Sequence, residues 1–511
     1  MSLPFGKHLR LTAVWATLLA WALRLSWLGR KALWIDEADS LYFAVQPLRT
    51  VLLGLCDPHP PGYYLLLKGV VQLGRSEFWL RLPSVIAATL AVPLLFRVGW
   101  WVALQLGAKR SLRVATLSAW LLAVAPLHVW YAQEARMYAL VTTLGLLAML
   151  FALRLARRPT FAQAGAYVLV AALALWVDQS AALSLVVTNL LWFWIWACRP
   201  ATADRGRRLG LWLGLQILAG VPFLLWWSNA QYLAISDSGR FYQLTMLMRL
   251  LQRLGLTVTL EYVQRLFLAV RVGGALVSGG LYWAALRRRR ALGRGWAFGL
   301  AILFALGTVV SVVPRLFTVK RLLLGVLPYA MFASAWALTR LRVRQWPRAG
   351  FLLLCVILSG VNLLVISKAP WREVTAWVEA RAASEDVIWV DALAVPAFDY
   401  YYEGAQEIRV LRAAELGKLE ASWEAQQTSS HGRLWMVVLV DPYRNLLDYV
   451  SPAIEPAKVE EAGWSRVVVQ AYQPASLDSA TSILAGEPPA WLLAWPSPLD
   501  PACQMEYDDG F

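Results

Sequence analysis

Apolar positions along this chain form long unbroken runs. They lack the two-residue alternation of a half-buried strand and the narrow stripe of an amphipathic surface helix. TLSAWLLAVAPLHVWYA (116–132) and LWLGLQILAGVPFLLWW (211–227) are examples. At about 1.5 Å rise per residue, each covers most of a hydrocarbon layer roughly 30 Å thick. The runs predict about eleven transmembrane helices, near 11–29, 80–104, 112–130, 137–155, 163–178, 181–197, 209–227, 266–286, 296–313, 319–338 and 349–367. Two longer connections, about 30–79 and 228–265, carry tryptophan, tyrosine and amphipathic stretches that suit the membrane interface. After residue 367 the pattern changes. DVIWVDAL, EIRVL, LWMVVLVD and RVVVQAYQ read as short strands, and WREVTAWVEARA and AAELGKLEASWEAQQ read as helices between them. The chain therefore divides into an all-α membrane module, 1–367, and a small α/β domain, 368–511. With 59% hydrophobic residues and a mean hydropathy of +0.52, a water-soluble globule is excluded.

Charge adds an orientation. The formal net charge is +16, yet the basic clusters sit between apolar runs, which points to membrane topology and not to nucleic acid. KHLR, AKRSLR, RLARRP, CRPATADRGRR, LRRRRALGRG and TRLRVRQWPR mark the cytoplasmic side. The N-terminus is then cytoplasmic. An odd number of spans places the C-terminal domain outside, and the chain reads as a multi-pass protein of the cell (plasma or inner) membrane. The first apolar run lacks a small-residue cleavage site and reads as a span, not a removable signal.

Under this topology nine carboxylates of the membrane module gather at the outer ends of the helices: Asp36, Glu37, Asp39, Asp57, Glu77, Glu134, Asp178, Asp237 and Glu261. Asp204 alone faces the cytoplasm. A transporter places ionisable groups near the midplane. Acids collected on one rim suit chemistry at that surface. Three of them crowd into LWIDEADSLYF (33–43). CDPHPPGYYLLLK (56–68) adds His59, Tyr63 and Tyr64 after a rigid proline turn. WYAQEARMYAL (130–140) adds Arg136 and Tyr138, and an arginine there suits a phosphate. VPRLFTVKRLLLGVLPY (313–329) places Arg315, Lys320 and Arg321 on the outer side against the charge rule, as an anionic partner would require. No zinc pattern and no glycine-rich phosphate loop occurs.

Taken in order, DEA after the first span, HPPGYYLLLK, EFWLRLPSVIAATLAVPLLFRVG, WYAQEARMYAL and VPRLFTVKRLLLGVLPY resemble the GT-C superfamily of membrane glycosyltransferases. The likeness is to the branch of protein O-mannosyltransferases and lipid A aminoarabinose transferases, and PWREVTAWVEARAASEDVIWV resembles its bacterial members. It covers roughly residues 10–400. The resemblance implies transfer of a sugar from a polyprenyl-phosphate donor to an acceptor hydroxyl on a protein, lipid or glycan at the outer face. It implies Asp36 as general base, Glu37 as a supporting catalytic acid, and Arg136, Lys320, Arg321 and His59 around the donor phosphate. His59 stands where the aminoarabinose transferases carry lysine. Asp57, Tyr63, Tyr64, Glu134, Tyr138 and Asp39 are the expected substrate contacts. No metal site is assigned; a divalent metal held by the paired acids is the less favoured alternative to the Arg and Lys cations, and a lipid-linked sugar flippase is the alternative function.

Overall fold

The computed structural model describes residues 4–53, 59–108, 110–197, 204–227, 319–340, 345–364, 368, 370–412, 416–428, 432–440, 446–464, 467–474 and 482–484. Nine of the eleven expected spans fall on helices there. The remaining two, near 266–286 and 296–313, lie outside the described residues. The helices of the bundle are α1 (Pro4–Leu25), α5 (Glu77–Gln105), α6 (Ser111–Val124), α7 (Pro126–Ala132), α8 (Tyr138–Arg157), α9 (Phe161–Val177), α10 (Ala181–Ala197), α11 (Arg205–Trp227), α12 (Val319–Arg340) and α13 (Gln345–Leu364). Among the described residues, α5, α8 and α11 are each long and apolar enough to cross a membrane, and α6 with α7 forms a fourth such unit bent by 56°. The expected first outer connection holds three short helices, α2 (Ile35–Val45), α3 (Leu48–Leu53) and α4 (Gly62–Val71).

The bend between α6 and α7 has a local cause. Pro126 cannot donate to the preceding turn, so carbonyls at the end of α6 lose their helical partners. In an apolar layer such groups must be satisfied by other protein atoms. Buried Arg24, at the end of α1, donates to the Ala123 carbonyl at 2.8 Å and the Leu122 carbonyl at 3.1 Å. Ser359 Oγ donates to the Val124 carbonyl at 3.1 Å. Arg24 Nη2 also lies 2.8 Å from His128 Nδ1 on α7, and Gln133 donates back to the Arg24 carbonyl at 3.0 Å. One broken helix is thereby tied to α1 and α13.

Close packing sets the rest of the bundle. A Cβ on Gly145 of α8 would lie 2.6 Å from the Ser184 side chain of α10, so this crossing needs glycine. Gly325 of α12 lies against Leu183, near the start of α10, while Phe332 lies against Gly99, well along α5. The first turn of α12, which carries Lys320 and Arg321, is therefore at the same end of the bundle as α2.

Beyond α13 come α14 (Trp371–Glu379), β1 (Val387–Asp391), α15 (Val395–Tyr401), β2 (Ile408–Leu411), α16 (Leu416–Thr428), β3 (Leu434–Leu439), β4 (Lys458–Trp464) and β5 (Val467–Tyr472). The sheet order is β2-β1-β3-β5-β4, with β1 parallel to β2 and β3 and the other pairs antiparallel. Alternate residues serve two cores. Trp389, Met436 and Val438 pack with Leu419 and Trp423 of α16. Ile388, Val390 and Val437 pack with Trp371 and Val374 of α14 and Phe398 of α15, and this second core also contains Ala38 of α2. The α/β unit is thus built directly onto the short helix that carries the acid triplet.

Candidate active site around α2

The helix α2 is held at both ends. At its start, Glu37 Oε2 accepts from the backbone N–H of Trp34 at 3.3 Å, as the third residue of a capping box does. At its end, Lys68 Nζ donates to the carbonyls of Ala44, Val45 and Gln46 at 3.2, 3.4 and 2.7 Å. A cation there complements the negative end of the helix dipole and satisfies unpaired carbonyls. The proline turn that delivers Lys68 is tightly seated, because a Cβ on Gly62 would lie 2.6 Å from the carbonyl oxygen of Trp176 at the end of α9.

Glu37 is fully buried at 0% exposure and is the hub of the region. Arg81 donates to it through both Nε and Nη2, each at 2.8 Å. Lys368 Nζ donates at 3.0 Å and the backbone N–H of Ala135 at 2.8 Å. Burial by itself would raise its pKa. The charges of Arg81 and Lys368 and their hydrogen bonds outweigh that and hold the carboxyl down to about 2. The remaining donors of Arg81 go to the carbonyls of Leu28, Lys31 and Ala32 at 2.8–3.0 Å. Lys368 also donates to the Gln133 carbonyl at 3.0 Å and lies 3.9 Å from Glu134. This buried network ties together α2, α5, the α7–α8 connection and the entry to the α/β unit.

Asp36, one residue earlier, has the opposite surroundings. It is half-buried, and among the described residues its carboxylate makes no hydrogen bond or ion pair. Its backbone is pinned, because Arg136 Nη1 donates to the Asp36 carbonyl at 2.9 Å and to Ser40 Oγ at 3.0 Å. Tyr131 lies within electrostatic range of Asp36 and Glu134, and its ring meets that of Tyr138 edge-on at 5.3 Å. Asp39 shares a face of α2 with Asp36 at i, i+3. It acts electrostatically on Tyr42 together with Arg412, which follows β2.

The placement revises part of the expected site. Glu37 is not open to a substrate, because hydrogen bonds from five donor groups already engage its two oxygens. Tyr63 and Tyr64 are buried in the helical core, where Tyr64 packs on Phe43 of α2 at 5.6 Å, and both seat α4 against α2. Glu134, 2% exposed, belongs to the Glu37 network. Tyr138 is buried at its edge. His59 is half-buried at the head of the proline turn before α4. Asp57 lies outside the described residues, as do the side chains of Lys320 and Arg321. Among the described residues no three His, Cys, Asp or Glu side chains converge as a metal-binding group.

The sequence reading overlooked Arg81, Lys368 and a second buried contact. Glu77 accepts from Arg372 and from the Tyr401 hydroxyl, the latter at 2.8 Å. Tyr401 in turn accepts from the backbone N–H of Leu33 at 2.7 Å, and Tyr400 donates to the Arg75 carbonyl at 2.7 Å. Both Arg81 and Lys368 stand at apolar borders where a charge needs a partner, and that signal marks them. Lys31 was also passed over. Its ammonium sits 4.6 Å over the Trp130 ring, and burial, with the like charges of Lys368 and Arg81, lowers its pKa to about 8.

No protein-family model matches the chain, and a search of curated proteins finds no match. Among solved structures the chain is similar to ArnT from Cupriavidus metallidurans bound to undecaprenyl phosphate, at 14% identity and a TM-score of 0.43, covering 90% of this chain and 97% of that one. It is similar to the archaeal oligosaccharyltransferase AglB from Archaeoglobus fulgidus, at 11% identity and a TM-score of 0.42, over 80% of this chain and 65% of that one. It is also similar to the arabinofuranosyltransferase AftD from Mycobacteria, at 13% identity and a TM-score of 0.39, over 91% of this chain and 41% of that one.

Proposed function

We propose that this chain is an integral-membrane glycosyltransferase that moves a sugar from a polyprenyl-phosphate donor to an acceptor hydroxyl at the outer membrane face. The observation that carries the reading is the contrast on α2. A carboxylate without a protein partner among the described residues, Asp36, stands next to one saturated by its neighbours, Glu37. Asp36 is the general base. It takes the acceptor proton as the hydroxyl oxygen attacks the anomeric carbon. The bond from that carbon to the phosphate oxygen breaks, the electron pair leaves with the lipid phosphate, and a single displacement inverts the anomeric centre.

Negative charge grows on the departing phosphate, and preorganised cations stabilise it most where water is scarce. Arg136 holds the backbone of Asp36 and brings its charge to the same place. Lys320 and Arg321, in the first turn of α12, and His59 complete the proposed phosphate set, and Lys31 joins it. Glu37 acts by positioning, since it locks α2 against Arg81 and Lys368. Asp39 lies on the acceptor side of α2, near the α/β unit. The orientation that suits this chemistry has the N-terminus in the cytoplasm and the α/β unit outside, with eleven spans in all.

The test is incubation of purified protein in lipid with a panel of radiolabelled polyprenyl-phosphate sugars and separate protein, lipid and glycan acceptors. The expected result is labelled acceptor from one donor, undiminished by a metal chelator. Movement of label across vesicles without a new glycosidic bond would instead make the protein a carrier.

A further inference from the structure

At the end of the bundle away from α2, the last turns of α8 and α10 and the first turns of α9 and α11 enclose a cavity of about 430 Å³. Its walls are apolar, formed by Leu155, Ala164, Ile195, Leu211, Trp192 and Trp212. The aromatic wall is stiff. Trp192 and Trp212 stack at 4.6 Å with an interplanar angle of 3°, and Tyr167 meets Trp212 at 4.9 Å. Trp212 Nε1 donates to Asn189 at 2.8 Å, and Gln216 accepts from both Asn189 and Tyr167 at 3.0 Å. With those polar groups satisfied among themselves, the wall offers only hydrocarbon to the cavity.

The mouth is different. Arg207 and Arg208 line it from the first turn of α11 and are exposed, and among the described residues neither forms an ion pair. Asp204 lines the same mouth and offsets one of these charges. Arg205 adds a third cation beside it, stacked at 4.1 Å on Trp196. From Arg208 to Leu215 the wall runs seven residues along α11, roughly 10 Å at 1.5 Å per residue. A mainly apolar slot of that depth with cations at the rim matches an amphipathic anion with its headgroup at the rim and its tail along α11. Clustered arginines at a membrane surface attract acidic headgroups.

We propose that this cavity binds one molecule of an anionic phospholipid, its headgroup phosphate between Arg207 and Arg208 and one acyl chain against Trp192 and Trp212. The site is independent of the transferase reading, because it lies at the other end of the bundle and shares no residue with it.

The test is native mass spectrometry of the full-length protein, delipidated in detergent and titrated in parallel with phosphatidylglycerol and phosphatidylcholine, and then with undecaprenyl phosphate as a competitor of bound phosphatidylglycerol. One phosphatidylglycerol should be retained roughly 10-fold or more tightly than phosphatidylcholine, the scale expected for two surface cations. Arg207→Gln with Arg208→Gln should reduce that preference to about unity, while Arg207→Lys with Arg208→Lys keeps most of it. Leu211→Trp, at a position 58% exposed and therefore tolerant of a larger side chain, should block retention with both arginines present. Circular dichroism establishes that each variant is folded. Equal binding of the two phospholipids, unchanged retention in the double glutamine variant or in Leu211→Trp, or undecaprenyl phosphate displacing phosphatidylglycerol from the groove would each overturn the proposal.

Discussion

The two ends of the helical bundle handle charge in opposite ways. Around α2 the charges that meet at Glu37 are buried and paired. Glu37, Arg81 and Lys368 are nearly inaccessible; both cations donate to Glu37, and each of the three is also hydrogen-bonded to main chain. At the far end, Arg207 and Arg208 stand exposed above apolar walls. Burying ions costs several kcal/mol each unless geometry and extra hydrogen bonds offset it, so a buried network is retained where a position has to be held. Exposed arginines contribute little to stability and interact with what lies outside the protein. The first end is built to hold a helix in place and the second to meet a lipid surface. The difference is testable because the same kind of change, loss of one charge, should have unequal effects at the two ends.

The largest effect belongs to Glu37→Gln. It leaves Arg81 and Lys368 buried against a neutral amide, and breaking a buried pair from one side costs roughly 3–5 kcal/mol. Arg207→Gln, on the surface, should stay within about 0.5 kcal/mol of the parent. Thermal unfolding in detergent followed by tryptophan fluorescence checks both. The sign of the pH dependence follows from the depressed pKa. Glu37 titrates at about 2 in the folded chain and near its ordinary 4.5 when unfolded. Its stabilisation is complete above pH 4.5 and is lost as pH falls towards 2. The gap between parent and Glu37→Gln should therefore be constant from pH 8 to pH 5 and narrow below about 4.5. A gap that closed near neutrality would mean that Glu37 is not the charged hub.

Asp36→Asn comes next, and its effect is on rate. The variant keeps the shape of α2 and its contacts, since Arg136 holds the Asp36 carbonyl and not its carboxylate. Loss of a general base lowers turnover by roughly 10²-fold or more, about 2.7 kcal/mol of transition-state stabilisation. Stability and donor binding should be close to the parent. Turnover in purified variants, with donor binding measured alongside, separates the neighbours: Glu37→Gln unfolds early, whereas Asp36→Asn folds and does not react. Near-normal turnover in Asp36→Asn would remove the base assignment.

What the sequence made legible follows the same division. The apolar runs foretold helices because a membrane span has to satisfy its backbone internally. Short apolar runs foretold β1, β2, β3 and β5. β4 was missed because KVEEAGW is a charged edge strand whose burial alternates only between exposed and half-buried. The acid triplet stood out by composition, but its division of labour did not. Adjacent carboxylates look alike in a string of letters, and only the fold brings Arg81, Ala135 and Lys368 to one of them from 44, 98 and 331 residues away. The burial of Tyr63 and Tyr64 is equally illegible, since a stretch between two apolar runs gives no sign that α4 packs inside the bundle.

Among the changes around α2, the smallest effect expected is that of Lys68→Met, still larger than that of Arg207→Gln at the far end. Methionine keeps the apolar stem of the side chain against α2 and removes only the ammonium. Three carbonyls at the end of α2 then lose their donor, and the end of the helix dipole loses its cation. A helix-terminal cation is worth up to about 2 kcal/mol in partly buried geometry, less than the Glu37 network. Water reaches this end of the helix, and Lys68 is only partly buried, so about 1 kcal/mol is expected. Hydrogen exchange is the sharper measurement. Amides near Ala44 and Val45 should exchange faster in Lys68→Met. Those at Glu37 and Ala38, secured from the other end by Arg81 and Lys368, should be unchanged, and turnover should fall only a few-fold. Uniform acceleration along the whole of α2 would show that the helix is held as one piece from its far end, and that the Glu37 network alone does not position Asp36.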